Sequence, residues 1–201
     1  MAVFRYRWWM EAMRPAAVAF SAALALACTL AGRALAREPE SIERLMPMEN
    51  PRMAARIESW RACLDETYRG RFNFAWCAAR VDGIPHREYI SHSSIGGPED
   101  LSEEAYEQVR RVLAPAVPEE VRHFGTRCVN RRNVVDGEDC WPRDQDTEFK
   151  ILEALTAELP DPEAEGTVIL FTDLPPCASC RGVIRQFLDR HPNIRLKVFY
   201  K

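Results

Sequence analysis

Four residues in the last third of the chain could together hold a metal ion and move a proton. Cys177 and Cys180 form a Cys-x-x-Cys motif directly after Pro176, and Asp146 and Glu148 stand upstream with one residue between them. Two cysteines at positions i and i+3 of a first helical turn can both point at one ion. Zinc combines sulfur ligands with nitrogen or oxygen, and a catalytic site keeps three protein ligands and an open position for water. We therefore expect a zinc site with Asp146, Cys177 and Cys180 as ligands.

Glu148 is left as the candidate catalytic acid and base beside that site. Water on zinc gives up a proton far more easily than free water. A carboxylate next to it can take that proton and return it to a ring nitrogen and to departing ammonia. Taken alone, Asp146 is typical of a helix N-cap and Glu148 of an ordinary first-turn acid. Their combination with the cysteine pair is what predicts hydrolytic deamination.

Helices and strands alternate around these residues. A helix begins after Asp146, an apolar strand covers residues 167–172, a second helix begins at Cys177, and an alternating strand covers residues 194–200. Two strands joined through a helix predict a parallel pair. Further upstream the patterns predict helices at 53–67 and 101–113 and a hairpin of strands at 72–81 and 87–91 that extends the sheet. The sequence therefore predicts an α/β fold, with three layers and a mixed sheet.

The same residues resemble the cytidine-deaminase superfamily, which pairs His-x-Glu at one helix start with Pro-Cys-x-x-Cys at the next. A closer resemblance is to the BURPS668_1122-type deaminases, which are bacterial polymorphic-toxin domains. It rests on residues 146–152, 170–172, 175–180 and 183–187, and the His92-Ser93-Ser94 segment also fits. The resemblance covers roughly residues 72–201 and is dense from Asp146 onward. Asp146 stands where that superfamily usually has a histidine.

The resemblance implies a cytidine-deaminase-like fold, a zinc ion and the hydrolytic conversion of cytosine to uracil. It favours cytosine in single-stranded DNA, with RNA or a free nucleoside as alternatives, because an unstacked base enters a pocket at less cost than one extruded from a duplex. It also implies an interbacterial toxin with an immunity protein as a possible partner.

Four further residues are candidates for substrate contact: His92, Trp141, Pro176 and Ser179. Trp141 could stack on a flipped base, although packing in the core is the alternative. His92 could line the pocket rim or be a hydrogen-bonded structural residue. Arg127, Arg131 and Arg132 could meet phosphates, or they could belong to an exposed basic loop.

Three other interpretations of the motifs stay open. A strand followed by Cys-x-x-Cys and a helix also fits a thioredoxin-like thiol–disulfide oxidoreductase with Cys177 as nucleophile, but that role leaves Asp146 and Glu148 without a task. A closed structural zinc site would need a fourth ligand such as Cys140 or His123. The literal His-x-Glu at His86-Arg87-Glu88 lies at a hairpin rather than at a helix start.

The N-terminal residues 1–36 have the layout of a secretory signal peptide or a membrane-anchor leader. Three arginines precede an Ala-rich apolar run, and Ala34-Leu35-Ala36 offers a cleavage site. We expect export, action in a target-cell cytoplasm and no stable membrane association after leader removal; an anchored or cytoplasmic protein is the alternative. Residues 37–52 are interpreted as a linker and residues 53–201 as the catalytic domain.

The net charge bears on nucleic-acid binding, and the remaining cysteines bear on which disulfides can form. The net charge of −3 and the lack of a basic arm argue against tight, non-specific binding to duplex DNA. Cys63, Cys77, Cys128 and Cys140 could form up to two disulfides in an oxidising compartment, and Cys128–Cys140 is the easiest loop to close. Cys77 is expected to be a small buried apolar side chain instead.

Overall fold

The computed structural model describes residues 36–84, 88–159 and 161–201. The leader prediction for residues 1–36, apart from Ala36, and the prediction for His86 lie outside the described residues. The strands are β1 (Ser41–Arg44), β2 (Phe74–Val81), β3 (Glu88–His92), β4 (Gly166–Thr172) and β5 (Ile194–Tyr200). The α-helices are α1 (Pro51–Ala62), α2 (Glu103–Val109), α3 (Thr147–Glu158) and α4 (Ala178–Arg190), and short 3₁₀ turns cover Glu66–Tyr68, Pro98–Asp100 and Glu119–Val121.

The five strands form one mixed sheet in the order β1-β5-β4-β2-β3. β4 and β5 are parallel, as expected for two strands joined through helix α4. The β2–β3 hairpin extends this pair because β2 runs antiparallel beside β4. β1 completes the sheet by pairing in parallel with the outer edge of β5.

Helices cover both faces of the sheet and create two apolar cores. On one face, α3 and α4 pack through residues such as Leu152, Leu155 and Phe187 against Leu170 and Val198. On the other face, Ile57 of α1 and Val109 of α2 pack with Trp76, Ile90 and Phe171. The predicted three-layer α/β fold with a mixed sheet is therefore confirmed, and it brings the N-termini of α3 and α4 together on one face.

Helix α3 is buried on nearly every side, and even its charged residues are almost inaccessible to solvent. Glu148, Lys150 and Glu153 are all at most 2% exposed. The Glu153 carboxylate accepts hydrogen bonds from the backbone N–H groups of His123 and Phe124, at 2.9 and 2.7 Å. Buried charges persist only when they are paired or hydrogen-bonded. The long segment after α2 therefore packs against α3 rather than extending into solvent.

Three segments differ from the sequence-based expectation. The helix expected at 53–67 covers Pro51–Ala62 and ends five residues early. Residues 41–44 of the interpreted linker form strand β1, with Glu40 N–H and Leu45 N–H donating to the carbonyls of Leu196 and Tyr200 on β5. The helix expected at 101–113 covers only Glu103–Val109. It ends early because the following residues run beside β3, where Ile90 bonds Val112 and Ala114.

The cysteines outside the Cys-x-x-Cys motif occupy different environments. Cys128 and Cys140 form a disulfide, the pairing whose loop is the easiest to close, and Cys77 is fully buried in β2 with a free thiol, as expected. The disulfide closes part of an irregular segment, residues 123–143, that contacts the start of α4. There Arg127 N–H donates to Ser179 Oγ at 2.8 Å, and Ala178 N–H donates to Asn133 Oδ1 at 2.7 Å.

Across residues 36–84, 88–159 and 161–201, none of the helices has the length and apolar character needed to cross a bilayer.

Candidate active site

Asp146 occupies the N-cap position of α3, but its side chain makes no capping hydrogen bond. Its Oδ2 atom instead lies 3.4 Å from Cys177 Sγ and 3.1 Å from Cys180 Sγ. On its other side, Oδ1 lies 3.8 Å from the Arg143 guanidinium. The N-cap interpretation therefore explains where Asp146 stands in the chain, and the cysteine pair explains where its carboxylate points.

The two cysteines are held together by the first turn of α4. Cys177 is the N-cap residue, and its sulfur accepts a hydrogen bond from Cys180 N–H at 3.4 Å. The two sulfurs are 3.5 Å apart and both thiols are free, whereas a disulfide bond measures about 2.0 Å. Hydrogen bonding from Cys180 lowers the pKa of the Cys177 thiol, while the same contact and burial raise the pKa of Cys180.

The donor atoms of Asp146, Cys177 and Cys180 fit a zinc ion. All three lie within 4.8 Å of one another. With Zn–S of about 2.3 Å and Zn–O of about 2.1 Å at tetrahedral angles, two sulfurs lie about 3.8 Å apart and a sulfur and an oxygen about 3.6 Å apart. The separations of 3.5, 3.4 and 3.1 Å are slightly shorter. Sulfur with one carboxylate oxygen is also a donor set that zinc accepts.

Glu148 lies beside this group and is buried, with 2% of its surface exposed. Burial and, second to it, the charge of Asp146 together raise its pKa to about 7. Its charge in turn raises the pKa of Cys180, which places the two groups within electrostatic reach. A carboxyl group with a pKa near neutrality is suited to both accept and donate a proton.

A small polar network orients Glu148. Thr147 Oγ1 donates to Glu148 Oε2 at 2.9 Å and accepts from Asn73 Nδ2 at 2.8 Å. The same Asn73 amide group lies 2.9 Å from Thr172 Oγ1 and 3.5 Å from Glu148 Oε2. Asn73 precedes β2 and Thr172 ends β4, so three separate elements meet at the Glu148 carboxylate. Sequence reasoning missed Asn73, Thr147 and Thr172 because none carries a motif of its own.

Lys150, one turn of α3 below the site, is a further residue that the sequence did not single out. It is fully buried, and Nζ donates to the carbonyls of His92 and Ile95, each at 2.8 Å. Burial lowers the pKa of Lys150 to about 8. A lysine between Phe149 and Ile151, inside an otherwise apolar helix, is the signal that could have identified it.

The four residues predicted to contact substrate occupy different environments. His92 is 1% exposed, with Nε2 2.9 Å from Arg71 O and Nδ1 accepting from Ser94 N–H, so it is a hydrogen-bonded residue. Ser179 is buried and accepts from Arg127 N–H. Pro176 is buried directly before Cys177, and its carbonyl accepts from Arg181. Trp141 is 41% exposed rather than packed in the core, and the Arg143 guanidinium lies 4.4 Å above its ring.

The structure also bears on the competing interpretations. Glu88 of the literal His-x-Glu motif pairs with Arg56 of α1 and accepts from Trp76, so it faces the core opposite to α3 and α4. Cys140 is in a disulfide and His123 is not among the clustered ligands, so neither supplies a fourth ligand. In a redox centre the Asp146 carboxylate would oppose thiolate formation at Cys177, because its charge works against the hydrogen bond from Cys180 that lowers the pKa of the Cys177 thiol.

Comparison with known proteins adds an independent finding to this geometry. The family model for the toxin deaminases, described as the BURPS668_1122 family of deaminases, matches residues 57–201. No curated protein and no solved structure matches the chain. The matched segment covers most of the chain and includes the Asp146, Glu148, Cys177 and Cys180 site. The chain therefore belongs to the BURPS668_1122 family of deaminases.

Proposed function

We propose that this deaminase is zinc-dependent and converts cytosine to uracil in single-stranded DNA, as a bacterial toxin that its N-terminal leader directs to export. The observation that carries the proposal is the convergence of the α3 and α4 N-termini. They bring one carboxylate and two sulfurs within 4.8 Å of one another, and the buried Glu148 carboxyl group lies beside them.

In this proposal Asp146, Cys177 and Cys180 hold the zinc ion, which supplies a water molecule of lowered pKa when bound. Glu148 accepts one proton from the attacking water and delivers it to the ring nitrogen as the C–O bond forms at the ring carbon. It then takes the second proton of that water from the new hydroxyl group and delivers it to the amino group. The C–N bond breaks, ammonia leaves and the ring carbonyl remains.

Glu148 can perform both transfers because its surroundings hold it near the balance between its two forms. Burial favours the protonated acid, whereas the hydrogen bonds from Thr147 and Thr172 favour the carboxylate. With Oε2 bonded to Thr147 Oγ1, the carboxyl group is fixed in orientation. We expect its second oxygen, Oε1, to carry the proton to and from the substrate.

Two features favour a base in a single strand over a duplex. Trp141 is an exposed aromatic residue whose neighbour Arg143 also contacts Asp146, so a stacking surface and a cation adjoin the site. The net charge of −3 offers little general attraction to duplex DNA. An unpaired base also avoids the cost of being flipped out of a stack.

The test is expression of wild type and Glu148→Ala in a strain that lacks uracil repair, followed by genome sequencing. Wild type is expected to produce C-to-T changes, and Glu148→Ala is expected to lose them because removing an acid–base group costs about 10²–10⁴-fold in rate. Equal mutation by both proteins, or A-to-G changes in place of C-to-T, would contradict the proposal.

Metal analysis separates this function from a thiol–disulfide oxidoreductase. We expect one zinc ion per chain in both wild type and Glu148→Ala, since Glu148 is not a ligand. A zinc-free protein that reduces disulfides through Cys177 would support the redox alternative.

A further inference from the structure

Phe72, next to the candidate active site, combines two properties that a purely structural residue rarely has. Its side chain is 68% exposed, and its backbone has a φ of +57°, in the left-handed region. Bulky residues seldom adopt this conformation, because Cβ comes too close to the backbone. Such an outlier persists only where the surroundings impose it, and outliers of this kind concentrate at ligand-binding sites.

The residues on either side of Phe72 are both anchored. The Arg71 carbonyl lies 2.9 Å from His92 Nε2, and Ser94 N–H donates to His92 Nδ1, which fixes the imidazole ring. Asn73 N–H donates to Ser93 Oγ. The Phe72 ring stands edge-on to the His92 ring, with centroids 6.2 Å apart. The segment after β3 thus anchors the backbone on both sides of Phe72, and its His92 ring contacts the exposed Phe72 ring.

The anchored segment leads directly to the proton-transfer group. Asn73, the next residue, lies within 3.5 Å of Glu148 Oε2 and bonds Thr147 Oγ1. Its Oδ1 also accepts from the N–H of Leu174, another exposed apolar residue. The exposed Phe72 ring is therefore one residue removed from the network that orients Glu148.

Cationic side chains lie on the same segment. Arg69 and Arg71 line a surface depression of about 600 Å³ together with Glu66 and Thr67. Exposed aromatic rings next to basic groups are what proteins use to bind single-stranded nucleic acid, because bases stack on the rings and phosphates meet the cations. A free nucleoside offers no flanking base and no phosphate, so it would leave these groups unused.

We propose that Phe72 is a stacking platform for a base of a single-stranded nucleic acid, with Arg69 and Arg71 contacting its phosphates, so that this segment selects a polymer over a free nucleoside. The proposal rests on the proposed deaminase function. It assigns a substrate-binding role to a segment outside the zinc-ligand and proton-transfer residues.

The test measures binding of a fluorescein-labelled, cytosine-free oligothymidylate of about ten nucleotides to the zinc-loaded Glu148→Ala protein, by fluorescence anisotropy. In this background, Phe72→Ala and Phe72→Leu are expected to weaken binding about 10-fold, in line with stacking on one ring. Phe72→Tyr, which keeps a ring, is expected to bind within about 2-fold of its parent. Met48→Ala is the control, because Met48 is also exposed, at 95%, and is not part of the site.

Thermal unfolding of the same variants distinguishes binding from structure. Phe72→Ala should unfold at about the same temperature as its parent, since it removes an exposed ring and keeps the Cβ atom. Oligonucleotide binding by Phe72→Ala equal to that of its parent would overturn the proposal, as would a marked fall in its unfolding temperature. Deamination of a cytosine-containing oligonucleotide is measured separately in the Glu148-containing protein with Phe72 intact. If it depends on Glu148 while Phe72→Ala binds normally, the stacking role fails and the deaminase function stands. If binding depends on Phe72 but the oligonucleotide is not deaminated, the deaminase function fails and the stacking role stands.

Discussion

The position of Asp146 suits its carboxylate for two roles, capping helix α3 or contacting the Cys177 and Cys180 sulfurs. At the first position before a helix, an aspartate normally accepts hydrogen bonds from backbone N–H groups, yet here it points at two sulfurs. With Oδ2 turned toward the sulfurs, the Asp146 side chain makes no capping hydrogen bond to its own helix. Sequence reasoning could name Asp146 as a candidate from its spacing to Glu148, but the direction of its side chain became known only when α4 was placed beside α3.

Asp146→Asn tests which task matters. In metal-free protein we expect the free energy of unfolding to change by less than about 0.5 kcal/mol, because no capping bond is lost. In zinc-loaded protein we expect the variant to lose zinc and the stabilisation that zinc provides. Urea unfolding with and without a chelator, together with metal analysis, measures both effects.

Ser102→Ala is the matched control for capping. Ser102 Oγ accepts from Ala105 N–H at the start of α2, so its loss should cost about 1 kcal/mol with or without metal. An Asp146→Asn protein that behaves like Ser102→Ala would show that Asp146 is only an N-cap.

His191 provides a pH prediction away from the site. It is 2% exposed at the end of α4, packs on Phe187, and burial lowers its pKa below the ordinary value of 6.5. Below pH 6.5 the unfolded chain therefore binds a proton that the folded chain does not. Stability linked to His191 is complete above that pH and is lost as the pH falls, by at most about 1.4 kcal/mol per pH unit.

Urea unfolding of wild type and His191→Gln at pH 7.5 and 5.5 tests this sign. Wild type should be the more stable protein at pH 7.5, and the difference should shrink at pH 5.5. A difference that stays constant or widens on acidification would contradict the burial of a neutral imidazole.

At the scale of elements, Lys150 links α3 to the segment after β3. Its ammonium group satisfies the carbonyls of His92 and Ile95, and the same segment anchors Arg71 and Asn73 through His92 and Ser93. Helix α3 thereby carries the candidate catalytic carboxyl group on its first turn and also positions the residues around it.

Lys150→Met keeps the length of the side chain and removes both hydrogen bonds. We expect a loss of about 1–2 kcal/mol in the free energy of unfolding, because the Ile95 carbonyl loses its lysine donor and the His92 carbonyl keeps only the Ile95 N–H. We also expect faster amide exchange between residues 93 and 97. Urea unfolding and hydrogen exchange measure these effects. Lys197→Met, on the exposed face of β5, is the control and should be nearly neutral. Unchanged exchange in Lys150→Met would mean that the lysine does not hold this segment.

The elements themselves were predictable to different degrees. Strands β4 and β5 and helix α4 follow from continuous or periodic apolar residues, which local sequence encodes directly. Strand β1 was missed because Ser41–Arg44 is a short edge strand with mostly polar residues, and only pairing with β5 makes it a strand. The network of Asn73, Thr147 and Thr172 was unpredictable for a related reason: its members come from three distant segments and meet only in the fold.

At the scale of the whole molecule, the organised domain extends beyond the segment that matches the family. The family match begins at residue 57, but β1 and the first half of α1 precede it. β1 pairs with β5 along four residues, and Leu45 joins the core on the α1 side of the sheet. These residues are therefore part of the folded sheet and of the core beside it.

A chain that begins at residue 57 is therefore expected to be less stable than one that begins at residue 37, and to self-associate. Without β1, the outer edge of β5 presents unpaired backbone groups to any other strand. Light scattering and thermal unfolding of the two proteins check this. If the shorter protein is monomeric and equally stable, β1 has no protective role.

The domain contains two cysteine pairs in different redox states, one oxidised and one reduced. Cys128 and Cys140 are already oxidised to each other, whereas Cys177 and Cys180 must stay reduced to bind metal in the proposed site. An oxidant added to the unfolded chain acts on all four thiols alike. Active protein should therefore be refolded with zinc first and exposed to air afterwards. Bound zinc then protects Cys177 and Cys180 from oxidation while Cys128 and Cys140 form their disulfide.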